Sequence, residues 1–400
     1  MKRAGTADLP LHYGHVPIWL AERMGKLGLA ITEEIIANKG KNDFLSRMSD
    51  PFWFQSLGAV MGMDWHSSGI TTSVLGALKR NINTHAKELG IYICGGKGKL
   101  STNTPNEIIR FSETNGLNAS NLVKCSKLSA KVDNTAVQDG FQLYQHNFIV
   151  SDEGNWTVIQ QGMSNKNATA RRYHWHSSTL KSFTEEPHTF IYGQNCGEIL
   201  NLTDKEADPL KKSMLSLTSE PPEKMMNEIK KLVMPNHHDV RAKDVNLKRL
   251  GATLWLAQEN NISNFEELLL LQGLGPRTLQ SLALVSEVIY GNPSRFKDPA
   301  RFSFANGGKD GHPFPVPVNV YDETIKTLRS AIDKSKIGNS DKIQAIQSLS
   351  KISERLEKNF IPHDNLDELI KKERNDSWKY GGRTVFGKEK APNSKQLNLF

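Results

Sequence analysis

Five polar residues in the N-terminal half have the types that hydrolyse phosphodiesters: Asp64, His66, Lys131, Asp133 and Asp139. Carboxylates hold Mg²⁺ or Mn²⁺ through oxygen ligands, and a lysine or histidine supplies charge or moves a proton. Lys131 and Asp133 lie two apart at the end of a predicted short strand, so both point to one side of it. The pattern favours a divalent-metal site made of Asp64, Asp133 and Asp139, with His66 and Lys131 as further catalytic residues.

The same carboxylates have a second interpretation. Asp and Asn are common loop residues that cap the ends of strands, and Asp133 and Asp139 precede a long predicted strand. Restriction-like nucleases use the order Asp/Glu-x-Lys, which is absent here, and Gln160-Gln161 stands where a further acid is expected. Metal binding and a structural role as strand caps therefore both remain possible interpretations of these residues.

Histidines offer a different metal site. His174 and His176 alternate and share one face of a predicted strand, so His66 or His146 could complete a transition-metal site with them. A single histidine is more often a hydrogen-bonded structural residue, and the three cysteines form no paired metal-binding motif.

Basic residues in two places could contact nucleic acid. The run Gly95-Gly96-Lys97-Gly98-Lys99 lacks the full spacing of a nucleotide-binding loop, so no nucleotide cofactor is expected, and Lys97 is predicted to contact a DNA backbone. Arg171 and Arg172 stand beside two aromatic residues, a combination that suits stacking on single-stranded or distorted DNA. The alternative is that the aromatic residues belong to the core and the arginines form surface ion pairs.

The segment Phe265–Gly291 resembles the helix-hairpin-helix motif of DNA-binding proteins. Gly273 and Gly275 permit a tight turn between two apolar helices and a close approach to a ligand. The amides from Gly275 to Thr278 begin the second helix, where the helix dipole favours phosphate oxygens, and Arg277 adds positive charge. Such contacts position a protein on DNA without reading its sequence. An ordinary helix turn with a glycine cap is the alternative.

The last residues combine one glutamine with three large apolar side chains: Gln396, Leu397, Leu399 and Phe400, with Asn398 between the leucines. This peptide resembles the short motif with which bacterial replication and repair proteins bind the DNA sliding clamp, in which Ser or Asp is commoner at the position of Asn398. The apolar side chains would enter a hydrophobic groove, and Gln396 would orient the peptide. A tail without function is the alternative.

Several dense runs resemble the family called domain of unknown function 763, over about residues 2–356. The resemblance rests on Ser49–Gln55, Asp64–Gly69, Gly95–Lys99, Ala130–Asn134, Gln138–Tyr144, Gln160–Met163, Ala170–His176 and Gly307–Pro313. It implies no particular activity, so the chemistry has to be argued from the residues themselves.

Composition limits the class of protein. The chain has 400 residues, 38% of them hydrophobic and 24% charged, which is typical of a folded globular protein. The net charge of +8 favours polyanionic partners. No apolar run long enough for a membrane span is present, the N-terminus does not read as a signal peptide, and the unpaired cysteines suit a reducing cytoplasm.

The predicted architecture is a mixed α/β N-terminal domain (1–203), an all-α domain (204–375) with the helix-hairpin-helix segment (265–291), and a flexible tail (376–400) with the clamp-binding peptide. Thr104-Pro105-Asn106-Glu107 reads as a helix start capped by Thr104 and Glu107. Strands are predicted at 128–132, 141–150, 156–161 and 171–176. Residues 141–150 are rich in aromatic and β-branched side chains, and with the turn residues 151–155 and the strand 156–161 they predict a β-hairpin with a five-residue loop. Helices are predicted at 18–37, 70–89, 221–233, 245–259, 265–271, 279–290, 321–334 and 342–360.

Together these features predict a cytoplasmic, nucleoid-associated DNA-binding protein of repair or recombination. The first hypothesis is a metal-dependent nuclease recruited to the sliding clamp, and the second is a DNA-structure-binding adaptor without enzymatic activity. Neither hypothesis involves a membrane.

Overall fold

The described residues fold around an antiparallel β-sheet with helices packed on both of its faces. The computed structural model describes residues 9–10, 16–63, 68–164, 168–229, 247–300, 318–357 and 375. The six strands are β1 (Leu9–Pro10), β2 (Ile91–Lys97), β3 (Gln142–Ser151), β4 (Trp156–Ser164), β5 (Thr169–His176) and β6 (Phe190–Tyr192). Their order is β1-β5-β4-β3-β2, and β6 also pairs with β5.

Fifteen helices are found in the described residues. They are α1 (Ile18–Lys39), α2 (Lys41–Ser49), α3 (Pro51–Val60), α4 (Gly69–Ile82), α5 (Ala86–Leu89), α6 (Lys99–Thr102), α7 (Thr104–Asn115), α8 (Ala119–Lys131), α9 (Asp208–Ser219), α10 (Pro222–Ile229), α11 (Leu247–Glu259), α12 (Phe265–Leu270), α13 (Pro276–Tyr290), α14 (Val318–Lys334) and α15 (Asn339–Glu357). A π-helical turn, Val132–Ala136, continues directly from α8. The predicted mixed α/β class is confirmed.

Strand register divides the sheet into two faces. Phe148, Val158 and Trp175 are aligned across β3, β4 and β5 on the first face, where they share a buried cluster with residues of α9 and α13. On the second face, Thr157 Oγ1 donates a hydrogen bond to the carbonyl oxygen of Leu45 in α2 at 2.8 Å. Since successive residues of a strand point to opposite faces, the register fixes which polar side chains can meet.

The predicted β-hairpin of residues 141–161 is confirmed, with one difference at its turn. Ser151 still belongs to β3, because its amide donates to the carbonyl oxygen of Asn155 at 2.8 Å. The connecting loop therefore has the four residues Asp152–Asn155 rather than five.

The predicted strand at 128–132 is wrong. Helix α8 covers Ala119–Lys131, and its N-cap Asn118 accepts a hydrogen bond from the amide of Asn121. Leu122, Cys125 and Leu128 recur at intervals of three on its buried side, which is helical spacing. Lys131 therefore ends a helix and does not share one side of a strand with Asp133.

The helix start at Thr104 is confirmed, but its predicted cap is wrong. Thr104 is the first residue of α7, and its hydroxyl donates to the carbonyl oxygen of Ser101 at 2.7 Å. Glu107 turns away from the helix end and accepts hydrogen bonds from Lys79 Nζ at 2.7 Å and the amide of Gly95 at 2.6 Å. Glu107 thus joins α7 to α4 and β2.

The chain divides into two compact units, Met1–Ser353 and Glu354–Phe400. The buried cluster on the first face of the sheet contains residues from both sides of position 204. The predicted domain boundaries after residues 203 and 375 stay predictions. Within the part of the chain that the structure describes, no helix is long and apolar enough to cross a bilayer.

Candidate functional site

Asp133 lies on the first face, in the π-helical turn after α8, and its side chain is fully buried. Its Oδ2 accepts hydrogen bonds from Gln160 Nε2 at 2.5 Å and from Trp175 Nε1 at 3.0 Å. Its Oδ1 contacts His188 Nε2. Burial raises the pKa of the Asp133 carboxyl, while the contacts with His188, Trp175 and Gln160 oppose that rise. Both carboxylate oxygens thus have partners within the protein.

Asp139 is also buried on the first face. Its Oδ2 accepts from Arg171 Nη1 at 2.9 Å and from the Tyr173 hydroxyl at 2.6 Å, and its Oδ1 accepts from the amide of Phe141 at 3.0 Å. Burial raises the pKa of Asp139 to about 6, against the opposing effect of Arg171. Arg171 also makes a bidentate contact with Asp298, whose Oδ2 lies 2.6 Å from Nη2. One guanidinium therefore joins two buried carboxylates.

The contacts of Asp133 and Asp139 use carboxylate oxygens that the predicted metal site would need as ligands. Protein donors occupy Asp133 and Asp139, and the described residues include no group of three or more His, Cys, Asp or Glu side chains placed to hold a metal ion. Asp64 and His66 lie outside the described residues. A Mg²⁺ or Mn²⁺ site that includes them stays a prediction.

His174 and His176 share one face of the sheet, as their alternation predicts, but His146 does not lie on that face. His174 and His176 lie on the second face, whereas His146 is aligned with Gln160 and Tyr173 on the first. His146 therefore cannot complete a site with the other two, and His66 is outside the described residues. His174 accepts a hydrogen bond from Arg172 Nε at 2.8 Å, and burial holds its pKa well below the usual range.

Arg171 and Arg172, proposed from the sequence for DNA, are both fully buried. Arg172 donates to Gln55 Oε1 at 2.9 Å, and its guanidinium lies 4.7 Å from the ring centroid of Phe54. Alternation along β5 sends the two arginines to opposite faces, so they do not form one basic patch. The structure thus gives them a role inside the protein rather than on a DNA-facing surface.

The segment Phe265–Gly291 folds as two helices joined by a tight turn, as its pattern predicts. Asn264 caps α12 by accepting from the amide of Glu267 at 2.9 Å. Gly273 has a φ of +81°, a backbone conformation that favours glycine, and Gly275 is the N-cap of α13. The apolar residues predicted to flank the turn are buried: Leu268, Leu271, Leu274, Leu279, Leu282 and Ala283.

The turn presents an open surface. A Cβ atom added at Gly273 or Gly275 would meet no atom within 4 Å, and no side chain caps the N-terminus of α13. Arg277 is exposed, whereas Thr278 is buried, so Arg277 is the more accessible of these two predicted DNA-binding residues. The first amides of a helix have no partner within the helix, and the positive end of its dipole lies there.

Helix α8 and the turn after it hold this hairpin in place. Lys131 Nζ donates to the carbonyl oxygen of Leu274 at 2.8 Å, and Gln138 Nε2 donates to that of Pro276 at 2.9 Å. Burial lowers the pKa of Lys131. Lys131, predicted from the sequence as a catalytic residue, therefore contacts the hairpin that contains Gly273, Gly275 and Arg277.

Lys97, the further predicted DNA contact, is exposed at the end of β2, with its ammonium 5.9 Å from the ring centroid of Tyr144.

Sequence reasoning missed three residues of these buried contacts: Gln160 and His188, which contact Asp133, and Asp298, which pairs with Arg171. Gln160 stands where an acidic residue is expected, yet its spacing of two from Val158 along β4 places it on the buried first face. His188 and Asp298 lie far along the chain from Asp133 and Arg171, in stretches without regular pattern. No sequence signal links them to the site.

The clamp-binding residues Gln396, Leu397, Leu399 and Phe400 lie outside the described residues, so that assignment stays a prediction. The family model described as "Protein of unknown function (DUF763)" matches residues 5–316, and the chain therefore belongs to this family. No curated protein and no solved structure matches the chain.

Proposed function

We propose that this member of the DUF763 family binds the sugar–phosphate backbone of DNA through the hairpin Phe265–Gly291. The observation that supports this proposal is the open N-terminus of α13, which has a glycine N-cap and no capping side chain. Phosphate oxygens fit such a position because backbone amides and the helix dipole both favour negative charge. Contacts of this kind fix the position of a protein on DNA but do not read its sequence.

Charge around the hairpin supports the same function. Arg277 is exposed beside the turn, and α8 carries Lys124, Lys127 and Lys131 at intervals of three and four, which places them along one side of the helix. Glu266 partly offsets Lys124, since their charged atoms lie 3.3 Å apart. Lys127 and Arg277 are therefore the exposed cations expected to strengthen phosphate binding, with Lys97 as a further contact.

The C-terminal peptide is proposed to bind a second partner, a protein rather than DNA. Gln396, Leu397, Leu399 and Phe400 would bind a bacterial sliding clamp and so raise the local concentration of the hairpin at replicated DNA. This role belongs to DNA repair or recombination in the cytoplasm, at the nucleoid. The protein then acts as a DNA-structure-binding adaptor.

Binding can be tested by fluorescence anisotropy with labelled single-stranded, duplex, flap and junction DNA. We expect affinity to fall steeply as salt rises, because phosphate contacts release counterions. Replacing Arg277 with alanine should weaken binding to all four DNAs to a similar extent, whereas Arg329→Ala, at an exposed arginine of α14, should not. Unchanged binding by Arg277→Ala, or no binding by the wild type, would reject the proposal.

The same mixtures test cleavage. Metal-dependent hydrolysis by Asp64, His66, Lys131, Asp133 and Asp139 stays a prediction from the sequence, and Mg²⁺, Mn²⁺ and EDTA reactions decide it. Cleavage that EDTA abolishes and that Asp64→Asn removes would restore the nuclease hypothesis. Structure-selective binding without cleavage would support the adaptor.

A further inference from the structure

A cavity of about 220 Å³ lies between the α6–α7 turn, α8 and β3. Ser126 and His146 both line it, from α8 and β3 respectively. Ser126 Oγ lies 2.8 Å from His146 Nε2, within hydrogen-bond distance. The two side chains are 3% and 6% exposed, so the cavity is their route to a ligand. A hydroxyl beside an imidazole at the wall of a cavity is the arrangement of an activated nucleophile.

The partners of His146 fix its tautomer. Trp175 Nε1 donates to Asp133 Oδ2, and Gln160 Nε2 lies 2.5 Å from the same oxygen. Gln160 therefore directs its amide nitrogen to Asp133 and its Oε1 to His146 Nδ1, which is 2.8 Å away. Because Oε1 can only accept, Nδ1 carries the proton. The Nε2 atom is then left with a lone pair for the Ser126 hydroxyl.

Two features of the environment around Ser126 and His146 bear on acyl transfer. Burial lowers the pKa of His146 to about 4, so the imidazole is neutral near pH 7 and its Nε2 keeps the lone pair that faces the Ser126 hydroxyl, while the same shift makes it a weaker base than a free histidine. Thr104 and Pro105, the first residues of α7, also line the cavity, and no side chain caps that helix. The positive end of the α7 dipole therefore favours negative charge that develops in the cavity.

We propose that Ser126 is a nucleophile and His146 its general base, in a site that hydrolyses small carboxylic esters. Ser126 Oγ attacks the carbonyl carbon while its proton passes to His146 Nε2. Collapse of the tetrahedral intermediate breaks the ester C–O bond, and the leaving alkoxide takes that proton. Water then attacks the acyl carbon, gives its proton to Nε2, and releases the carboxylic acid as Ser126 Oγ regains a proton. Gln160 and Asp133 are positioning residues, and the site is independent of the hairpin.

The test uses the full-length protein and a fluorophosphonate probe, whose phosphorus bonds to a nucleophilic serine as fluoride leaves. We expect wild-type protein to be labelled on Ser126, as located by peptide mass spectrometry, and to hydrolyse p-nitrophenyl acetate. Ser126→Ala and His146→Gln should lose both signals. Ser129→Ala is the matched control, because Ser129 is buried on the same helix and donates to the carbonyl oxygen of Ser126. It should behave as wild type.

Gln160→Leu tests the positioning role. Loss of the acceptor for Nδ1 should lower the labelling rate constant kinact roughly tenfold or more, as for other residues that orient a catalytic histidine, while KI stays unchanged. Circular dichroism and thermal unfolding establish that each variant is folded. Wild-type protein that is labelled no more than Ser126→Ala overturns the proposal, and so does equal labelling of a folded His146→Gln variant.

Discussion

Lys131 Nζ donates a hydrogen bond to the carbonyl oxygen of Leu274 and so attaches the end of α8 to the turn of the hairpin. Gln138 makes a second bond, to the carbonyl oxygen of Pro276. Both carbonyls lie next to the glycines that shape the turn. The hairpin is thus held in one conformation before any ligand arrives, and a preorganised loop loses less entropy on binding.

Replacing Lys131 with methionine removes this attachment and leaves the Leu274 carbonyl without its donor. We expect the free energy of unfolding to fall by about 1 kcal/mol, the usual value for one hydrogen bond, and DNA affinity to fall as well. Urea denaturation measures the first effect. Lys127→Met is the control, since Lys127 is exposed one helical turn earlier and should lower DNA affinity alone. Equal stability of Lys131→Met and wild type would contradict this role.

Arg171 should be among the costliest positions to change. Methionine at this position leaves Asp139 and Asp298 buried without their shared cation, and breaking a buried ion pair costs about 3–5 kcal/mol. Lys212→Met removes an exposed pair with Asp208 and should cost less than about 1 kcal/mol. Urea denaturation of both variants checks the contrast. A similar small loss for each would mean that the buried cluster contributes little.

Stability should depend on pH through His146. Its pKa is lowered to about 4 in the folded protein, whereas an unfolded histidine titrates near 6.5. The native state then binds fewer protons than the unfolded state between these values, so stability is lost as pH falls from about 6.5 towards 4. His146→Gln should flatten this part of the profile of unfolding free energy against pH. A profile that the substitution leaves unchanged would show that His146 does not carry the effect.

The clamp assignment, which rests on Gln396, Leu397, Leu399 and Phe400, can be tested independently of DNA binding. We expect Gln396→Ala combined with Leu399→Ala to abolish binding to a purified bacterial sliding clamp in calorimetry. Asn393→Ala combined with Ser394→Ala, in the polar lead-in just before the peptide, should bind as wild type does. Binding that survives the first double substitution would retire the clamp assignment.

Local patterns predicted the elements whose signals are contained within a few residues. The aromatic and β-branched residues of β3, followed by polar turn residues, predict the hairpin, and two apolar helices separated by two glycines predict the turn between α12 and α13. In each case short-range propensity and burial favour the same structure.

Elements that depend on distant partners were not predictable in this way. A strand is predicted at 128–132 because so short a run fits a strand as well as a helix, and only the full span from the Asn118 cap separates the two. Arg171 and Arg172 looked like surface cations, since charged residues are seldom fully buried without partners. Their partners Asp298 and Gln55 lie more than a hundred positions away in the chain.

The central claim is that phosphate approaches the open N-terminus of α13 at Gly275. Gly275→Ala tests it directly, because φ is −122° there and an added methyl group meets no neighbouring side chain or backbone within 4 Å, so the substitution introduces no clash, and the change from glycine to alanine at the N-cap should lower stability by about 1 kcal/mol at most. Gly338→Ala is the matched control: Gly338 precedes α15, accepts from the amide of Lys342, and its added Cβ is 4.0 Å from its nearest neighbour, Ser340 Oγ. In anisotropy titrations with duplex and junction DNA, we predict that Gly275→Ala loses affinity while Gly338→Ala binds as wild type. Equal affinity of all three proteins would contradict the account.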